Sequence, residues 1–348
     1  MFAKKDNLLG LDVGSHSVKM LQLKLKDGSF HLAGLGLAPL PREAFSEGRV
    51  NQPELVANRI KTLFKNLKLK GKLVAAGVSG YDVMIKKIEV PAMSEKELDN
   101  RMQSELGQYI PYRIEEVDVD YQIMDLVKDS PNSMEVLLVA AKKESVSEHV
   151  NMVRQSNMST QVMDVDFFAL NNAFETTYGV SDGTVALLDI GSHKAIMNIM
   201  IQNLTPYTRA LSIGGSQITD AIKDRFKLTF DEAERMKLGY IPNKYSKEEL
   251  QEIVSSVIRN WISEFKRVID FYLTNYPHRD IEKIYLSGGS CRIPGLKKVF
   301  HEHMDIDVDI FNPLNKINYD SKAFDPAYLD YIGPQMAISL GLALRKAG

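Results

Sequence analysis

The chain has 348 residues, a formal net charge of −2 at pH 7, 44% apolar residues and 25% charged residues. That length exceeds one ordinary domain and suits two or more, and the composition is that of a soluble globular protein. The near-neutral charge gives no drive toward nucleic acid or anionic lipid, and the single cysteine, Cys291, excludes an internal disulfide or a cysteine metal cluster.

No apolar run approaches the roughly 20 residues that span a bilayer, and the opening MFAKKDN is short and polar, unlike a signal peptide. A reducing compartment is expected, with Cys291 a structural thiol. Lys-rich stretches such as Lys61–Lys72 read as solvated helix faces.

Three strands open the chain, in LLGLDV, VKMLQLKLK and SFHLAGLGLAPL, with Asp27-Gly28 as a hairpin turn. Residues 52–67 space apolar positions as a helix, with Pro53 in the first turn and Asn51 as a cap. KLVAAGVSG then reads as a buried strand, which makes the start of an α/β layer. From Val83 to Met163 the pattern changes to a compact α+β insert. It holds a strand, VMIKKIEV, and a helix opening at Ser94 with Glu97 three residues on, the signature of a capping box. Two strands around Asp129-Ser130-Pro131-Asn132 and the helix SVSEHVNMVRQSN complete it.

Residues 164–179 read as a helix returning to the core, and TVALLDIG begins a second lobe, followed by two strands within MNIMIQNLTPYTRALSI. Helices are expected after Gly214-Gly215, over TFDEAERMKLG, and from Leu250 to Tyr272. The last carries Ile253, Val257, Trp261, Phe265, Val268 and Tyr272 on one side, with Trp261 in the core. IEKIYLSGGSCRIPGLKKVF reads as strand, glycine turn and helix, and AYLDYIGPQMAISLGLALRKAG as one last helix.

One pattern occurs twice. LLGLDVGSHSVK (8–19) and LLDIGSHKAIMN (187–198) each place an Asp, then Gly-Ser-His, after a buried strand. Gly14-Ser15 and Gly191-Ser192 let backbone N–H groups approach a phosphate, with the Ser hydroxyl as a further donor. Asp12 and Asp189 could hold Mg²⁺ through water, and Lys19 could reach a β- or γ-phosphate. A single such turn is also a common hairpin; the repetition, one per lobe, raises its weight. His16 and His193 occupy the same slot, either touching phosphate or merely tolerated in a turn. Three further elements accompany the pair. Gly288-Gly289-Ser290 offers a flat backbone to a base or ribose, or is simply a tight turn. Gly214-Gly215 before a helix could contact an anion or ribose. Glu234 and Lys237, at i and i+3, could grip ribose hydroxyls or form an exposed ion pair. His301 and His303 lack the spacing of a helical zinc pair.

Together these elements resemble the actin-like ATPase superfamily (actin, Hsp70, hexokinase). Gly10–Met20 is similar to its first phosphate motif, Leu187–Asn198 to the second and Tyr285–Leu296 to the adenosine motif. Asp164–Phe174 and Ile332–Leu344 are similar to its two connecting helices. The resemblance implies two RNase H-like lobes that bind ATP with Mg²⁺. It makes Asp166 the candidate for orienting an attacking water, with Asn172 nearby in helix packing. The insert is placed like subdomain 1C of the division protein FtsA. The opening LLGLDVGSHSVKMLQL and the insert motif PAMSEKELDNRMQSELGQYIPY resemble the PilM family of type IV pilus assembly proteins, and the chain stops at LALRKAG without FtsA's amphipathic membrane-targeting tail.

That resemblance divides the chain into 1A (1–82 and 164–183), 1C (83–163), 2A (184–212 and 281–330), 2B (213–280) and a C-terminal helix, 331–348, returning to 1A. It implies a cytoplasmic adaptor, peripheral at the inner membrane through its partners. The implied partner is the N-terminal cytoplasmic peptide of PilN in a groove between 1A and 1C, around residues 84–110. Other pilus inner-membrane components and motor ATPases are further implied partners, with ATPase activity weak or absent. A small-molecule kinase and a filament-forming cytoskeletal ATPase remain as alternatives.

Overall fold

The computed structural model describes residues 8–346 apart from 47–48, 79, 128–129 and 203. The opening MFAKKDN and part of the turn at Asp129 lie outside the described residues.

The first hairpin forms as expected. Strands β1 (Leu9–Val13), β2 (Ser17–Lys26) and β3 (Ser29–Pro39) run antiparallel. Asp27 and Gly28 join the last two with φ of 52° and 75°, the paired left-handed conformation that matches strand twist. A short ribbon, β4 (Phe45–Ser46) and β5 (Arg49–Val50), leads to α1 (Pro53–Asn66). Pro53 does open that helix, but Gln52 is its cap residue, without a side-chain bond. Asn51 instead donates from Nδ2 to the Glu43 carbonyl at 3.1 Å, one residue too early to reach the helical amides.

Strand β6 (Leu73–Val78) lies parallel to β1. The insert follows as β7 (Val83–Pro91), α2 (Glu95–Tyr109), β8 (Val117–Val127) and β9 (Ser130–Lys142), its sheet ordered β7-β9-β8. Ser94 and Glu97 close the expected capping box, each accepting a bond from the other's backbone amide. α2 covers one face of this sheet, where Ile88, Val90, Leu98, Met102, Met134 and Val136 form a small core. Residues 143–163 do not join that sheet. α3 (Lys143–Gln155) packs on α1, and β10 (Ser159–Val165), a strand not expected from sequence, pairs parallel with β6. Its partial burial, alternating without a clear period, hid it.

After α4 (Asp166–Tyr178) the first arrangement repeats: β11 (Thr184–Ile190), β12 (Ala195–Ile201) and β13 (Leu204–Leu211) run antiparallel, then come α5 (Gly215–Phe226), α6 (Phe230–Lys237) and α7 (Lys247–Asn275). In α7 the buried stripe is Leu250, Val254, Ile258, Trp261, Phe265, Val268 and Tyr272; Ile253 and Val257 flank it. Trp261 is a core residue, as expected, and its Nε1 donates to Gln217 Oε1 at 2.6 Å. β14 (Ile281–Ser287), α8 (Leu296–His303) and β15 (Asp307–Ile310) complete the second sheet.

The two sheets, ordered β10-β6-β1-β2-β3 and β13-β12-β11-β14-β15, therefore share one topology: a three-stranded meander flanked by two parallel strands. β1 and β11 are the central strands. Every position of β11 is buried, as befits a strand covered on both faces. The expected final helix is broken. α9 (Pro326–Ile332) and α10 (Ala337–Ala343) are separated by a 3₁₀ turn over Gly333–Met336, because Pro334 cannot supply the helical amide. α10 crosses α4 so closely that a Cβ on Gly341 would lie 1.7 Å from the Ala169 carbonyl oxygen. The C-terminal end is then tied back by Arg345, whose Nε and Nη2 bond the buried Asp164 carboxylate at 2.6 and 2.8 Å.

Candidate functional site

Shared topology places Asp12 and Asp189 at corresponding ends of the two central strands. Asp12 and Lys19 are cross-strand neighbours on β1 and β2, so their side chains share a face. Lys19 Nζ donates to Asp12 Oδ2 at 2.9 Å. Burial disfavours the Lys19 ammonium, but Asp12, aided by Asp189 and Asp166, more than compensates and raises its pKa. Lys19 is thus fixed by Asp12 directly, with Asp189 and Asp166 near enough to act on its charge.

Asp189 sits beside Ser287 in the β11–β14 register, and Ser287 Oγ donates to its Oδ2 at 2.8 Å. Burial pushes the Asp189 carboxyl up to about 6, with the Ser287 hydroxyl and Lys19 opposing. Asp166 opens α4 and lies 3.6 Å from Lys194 Nζ. The two Gly-Ser-His turns meet: Ser15 Oγ lies 3.0 Å from His193 Nδ1. Burial lowers the pKa of both His16 and His193, which makes the neutral ring the resting form near pH 7. Gly14 and Gly191 spend their amides within their own hairpins, on Ser17 and Lys194 carbonyls. Among the described residues the amides of Ser15, His16, Ser192 and His193 have no backbone acceptor, and an anion between the turns would meet them.

The raised Asp189 carboxyl has a definite consequence for stability. A folded pKa near 6 against an unfolded value near 4 means the native state holds that proton more tightly. Stability is then expected to fall by about 3 kcal/mol as pH rises from about 4 to 6, and to level off above that. Urea titrations between those limits should show the slope, and Asp189→Asn should lack it. A variant with the same slope would place the proton elsewhere.

The remaining expected elements knit together beside the second turn. Gly215 and Ser216 donate backbone amides to Gly191 and Ser192 carbonyls at 3.0 and 2.9 Å. Ser216 Oγ and Ser290 Oγ also donate to those carbonyls, at 2.7 and 2.9 Å. Gly214 is packed against the same turn, where a Cβ would lie 2.4 Å from the Ser192 oxygen. Gly288 has φ +91° and gives its amide to the Pro334 carbonyl, and Gly289 faces Gln335. Glu234 and Lys237 are no exposed ion pair. Lys237 is 7% exposed and donates to Gly215 O, Thr219 Oγ1 and Glu234 Oε2, so all three of its protons are placed within the protein. The pair also acts electrostatically on His16 of the first turn.

Several residues at this site carried no sequence signal. Arg42, between β3 and α1, reaches Asp220 on α5 at 3.5 Å and stacks over the Phe230 ring at 4.9 Å, bridging from the first sheet's side to the second's. Arg292 stacks over Tyr331 at 4.4 Å. Ser287 was visible only as a strand residue. Asn171, rather than Asn172, is the buried amide of α4, and it accepts from Asn198 Nδ2 at 2.7 Å. Among the described residues no three His, Cys, Asp or Glu side chains are grouped to hold a metal by themselves, His301 and His303 included.

The family of type IV pilus assembly protein PilM matches residues 10–347. The chain belongs to the PilM family. Among curated proteins it is similar to the cell division protein FtsA of Bacillus subtilis (strain 168), 22% identical over 367 residues that cover 93% of this chain and 82% of that one. Among solved structures it is similar to a PilM–PilN type IV pilus biogenesis complex, with TM-score 0.86, 26% identity and 98% of each chain covered. MreB5 of Spiroplasma citri bound to AMPPNP shares the fold at TM-score 0.51 and 10% identity, covering 97% of this chain and 95% of that one. The PilM family chain thus has the actin-like fold expected from its paired motifs. Among the described residues no helix is long and apolar enough to cross a membrane.

Proposed function

We propose that this PilM family chain is a nucleotide-gated adaptor of type IV pilus assembly, binding Mg-ATP between its two matched turns and the cytoplasmic N-terminal segment of PilN beside its insert. The observation that carries the nucleotide reading is the meeting of the two matched turns, Ser15 against His193, beside the Lys19–Asp12 pair. Unspent turn amides and Lys19 suit phosphate oxygens. Asp12 and Asp189 suit Mg²⁺ that keeps most of its water and gains its other ligands from the phosphates, which fits a site lacking three grouped protein ligands. Gly288-Gly289 and Glu234 would border the nucleoside. The Ser216, Ser290 and Lys237 donors would shape the turn rather than grip the ligand, since each is already spent on the protein.

Turnover needs a group that orients the attacking water. Asp166 would be the group to orient water, and its carboxylate lies 3.6 Å from Lys194 Nζ. Gating follows from the architecture: nucleotide between the turns pulls two sheets together, and the insert rides on the first of them.

The partner reading is supported by family membership and by the similar chain found with PilN. We place the PilN segment at residues 84–110, on the first-sheet side of the insert, and the adaptor in the cytoplasm at the inner membrane through such partners. Calorimetry of a PilN N-terminal peptide with and without Mg-ATP tests both parts. The expected result is binding whose affinity changes about fivefold or more with nucleotide. Equal affinity in both states would remove the gate, and absence of binding would remove the partner.

A further inference from the structure

A groove lies beside the insert, against the sheet face opposite to α2. It has a volume of about 490 Å³ and is walled by the insert's open sheet face, the edge of β13 and the flank of α7. Ile85 and Leu137 come from the face opposite to the one α2 covers, and Tyr207, Val268 and Phe271 from the second lobe. Phe271 is 57% exposed, a large apolar side chain left facing this space.

Two features say what fits there. First, Tyr207, Thr208 and Arg209 all line the groove. Consecutive strand residues point to opposite faces, so a space touched by three in a row abuts the strand's edge, which no described strand pairs. β13 is the outermost strand of its sheet. Second, the charges of the groove are paired except one. Lys87 holds Glu135 at 2.7 Å and Arg267 holds Glu264 at 2.6 Å. Arg209 is exposed and has no carboxylate partner among the described residues. A trough with an apolar wall and a polar one, an outer strand edge and one unmatched guanidinium suits an extended segment that carries a carboxylate between apolar side chains.

We propose that this groove binds an extended acidic and apolar peptide segment of a partner protein, added along the edge of β13 with its carboxylate on Arg209. Main-chain pairing would supply affinity, while Arg209 and the Ile85–Leu137–Phe271 wall would supply selectivity. The strand is also well anchored for such a role: Thr205, in the same groove, accepts from Asn171 of α4. The site faces the second sheet through β13 and α7, and shares with the span proposed for the PilN segment only Ile85 and Lys87 of β7.

Panning a random peptide display library on the full chain tests the proposal. The recovered peptides are expected to be rich in Asp or Glu flanked by apolar residues and to slow hydrogen exchange over residues 204–211. Arg209→Glu, a surface change that leaves folding intact, is expected to weaken those peptides about tenfold and to turn the recovered pool basic. Recovery of no binders, a pool without acidic enrichment, or binders indifferent to Arg209→Glu would each overturn it. So would complete competition by the PilN segment, which would merge the two sites.

Discussion

Asp12→Ala is expected to weaken Mg-ATP binding by about tenfold or more and to lower stability by about 3 kcal/mol. Both effects have one origin. Asp12 is 8% exposed and holds Lys19, itself largely buried, at 2.9 Å. Removing the carboxylate leaves the ammonium without its main compensation in a site where desolvation already disfavours it. Lys19 would then lose its charge or swing toward Asp189 and Asp166, and either outcome disturbs the place where phosphate and magnesium would sit. Asp12→Asn separates the two contributions, since its side-chain oxygen can still accept from Lys19 while the charge is gone. It should recover part of the stability but little of the nucleotide affinity. Calorimetry with Mg-ATP and urea unfolding measure the two quantities. Unchanged nucleotide affinity in both variants would move the ligand away from this turn.

Gly288→Val is expected to destabilise the second lobe by at least about 3 kcal/mol and to abolish nucleotide binding with it. The reason differs from the one the sequence suggests. A glycine in a turn after a strand invites the idea that a side chain there would fill the nucleoside site. In the structure the Cβ would point into the protein, 2.5 Å from the Ile190 carbonyl oxygen and 2.7 Å from its amide nitrogen. The residue also has φ +91°, which a β-branched side chain adopts only with strain. Ile190 directly follows Asp189, so the collision displaces the carboxylate and the second turn together. Urea unfolding checks the stability loss. A variant of wild-type stability that simply failed to bind nucleotide would restore the blocking explanation.

Asp12 and Asp189 were legible because the motif repeats, and repetition in sequence became repetition of a five-stranded sheet. The hairpin at Asp27-Gly28 and the capping box at Ser94 and Glu97 were legible because their chemistry is local. Local signals failed where a long-range contact decided. Asn51 had the residue type of a cap but not the position. Strand β10 has no strong pattern of its own and exists because β6 offers it an edge. Glu234 and Lys237 have the spacing of a surface ion pair, and only the packing of α5 on α6 turned them into a buried network with Thr219.

Residue order alone thus determined the α/β class, the doubled acidic turn, the insert and the family, since each rests on patterns within a few dozen neighbouring residues. Tertiary structure alone decided that Ser15 meets His193, that Ser287 donates to Asp189, and that Arg209 lines a groove with no carboxylate partner among the described residues. Such pairings join residues far apart along the chain, and what brings them together is the burial of two sheets and the crossing of α4 and α10 between them, which no local pattern records.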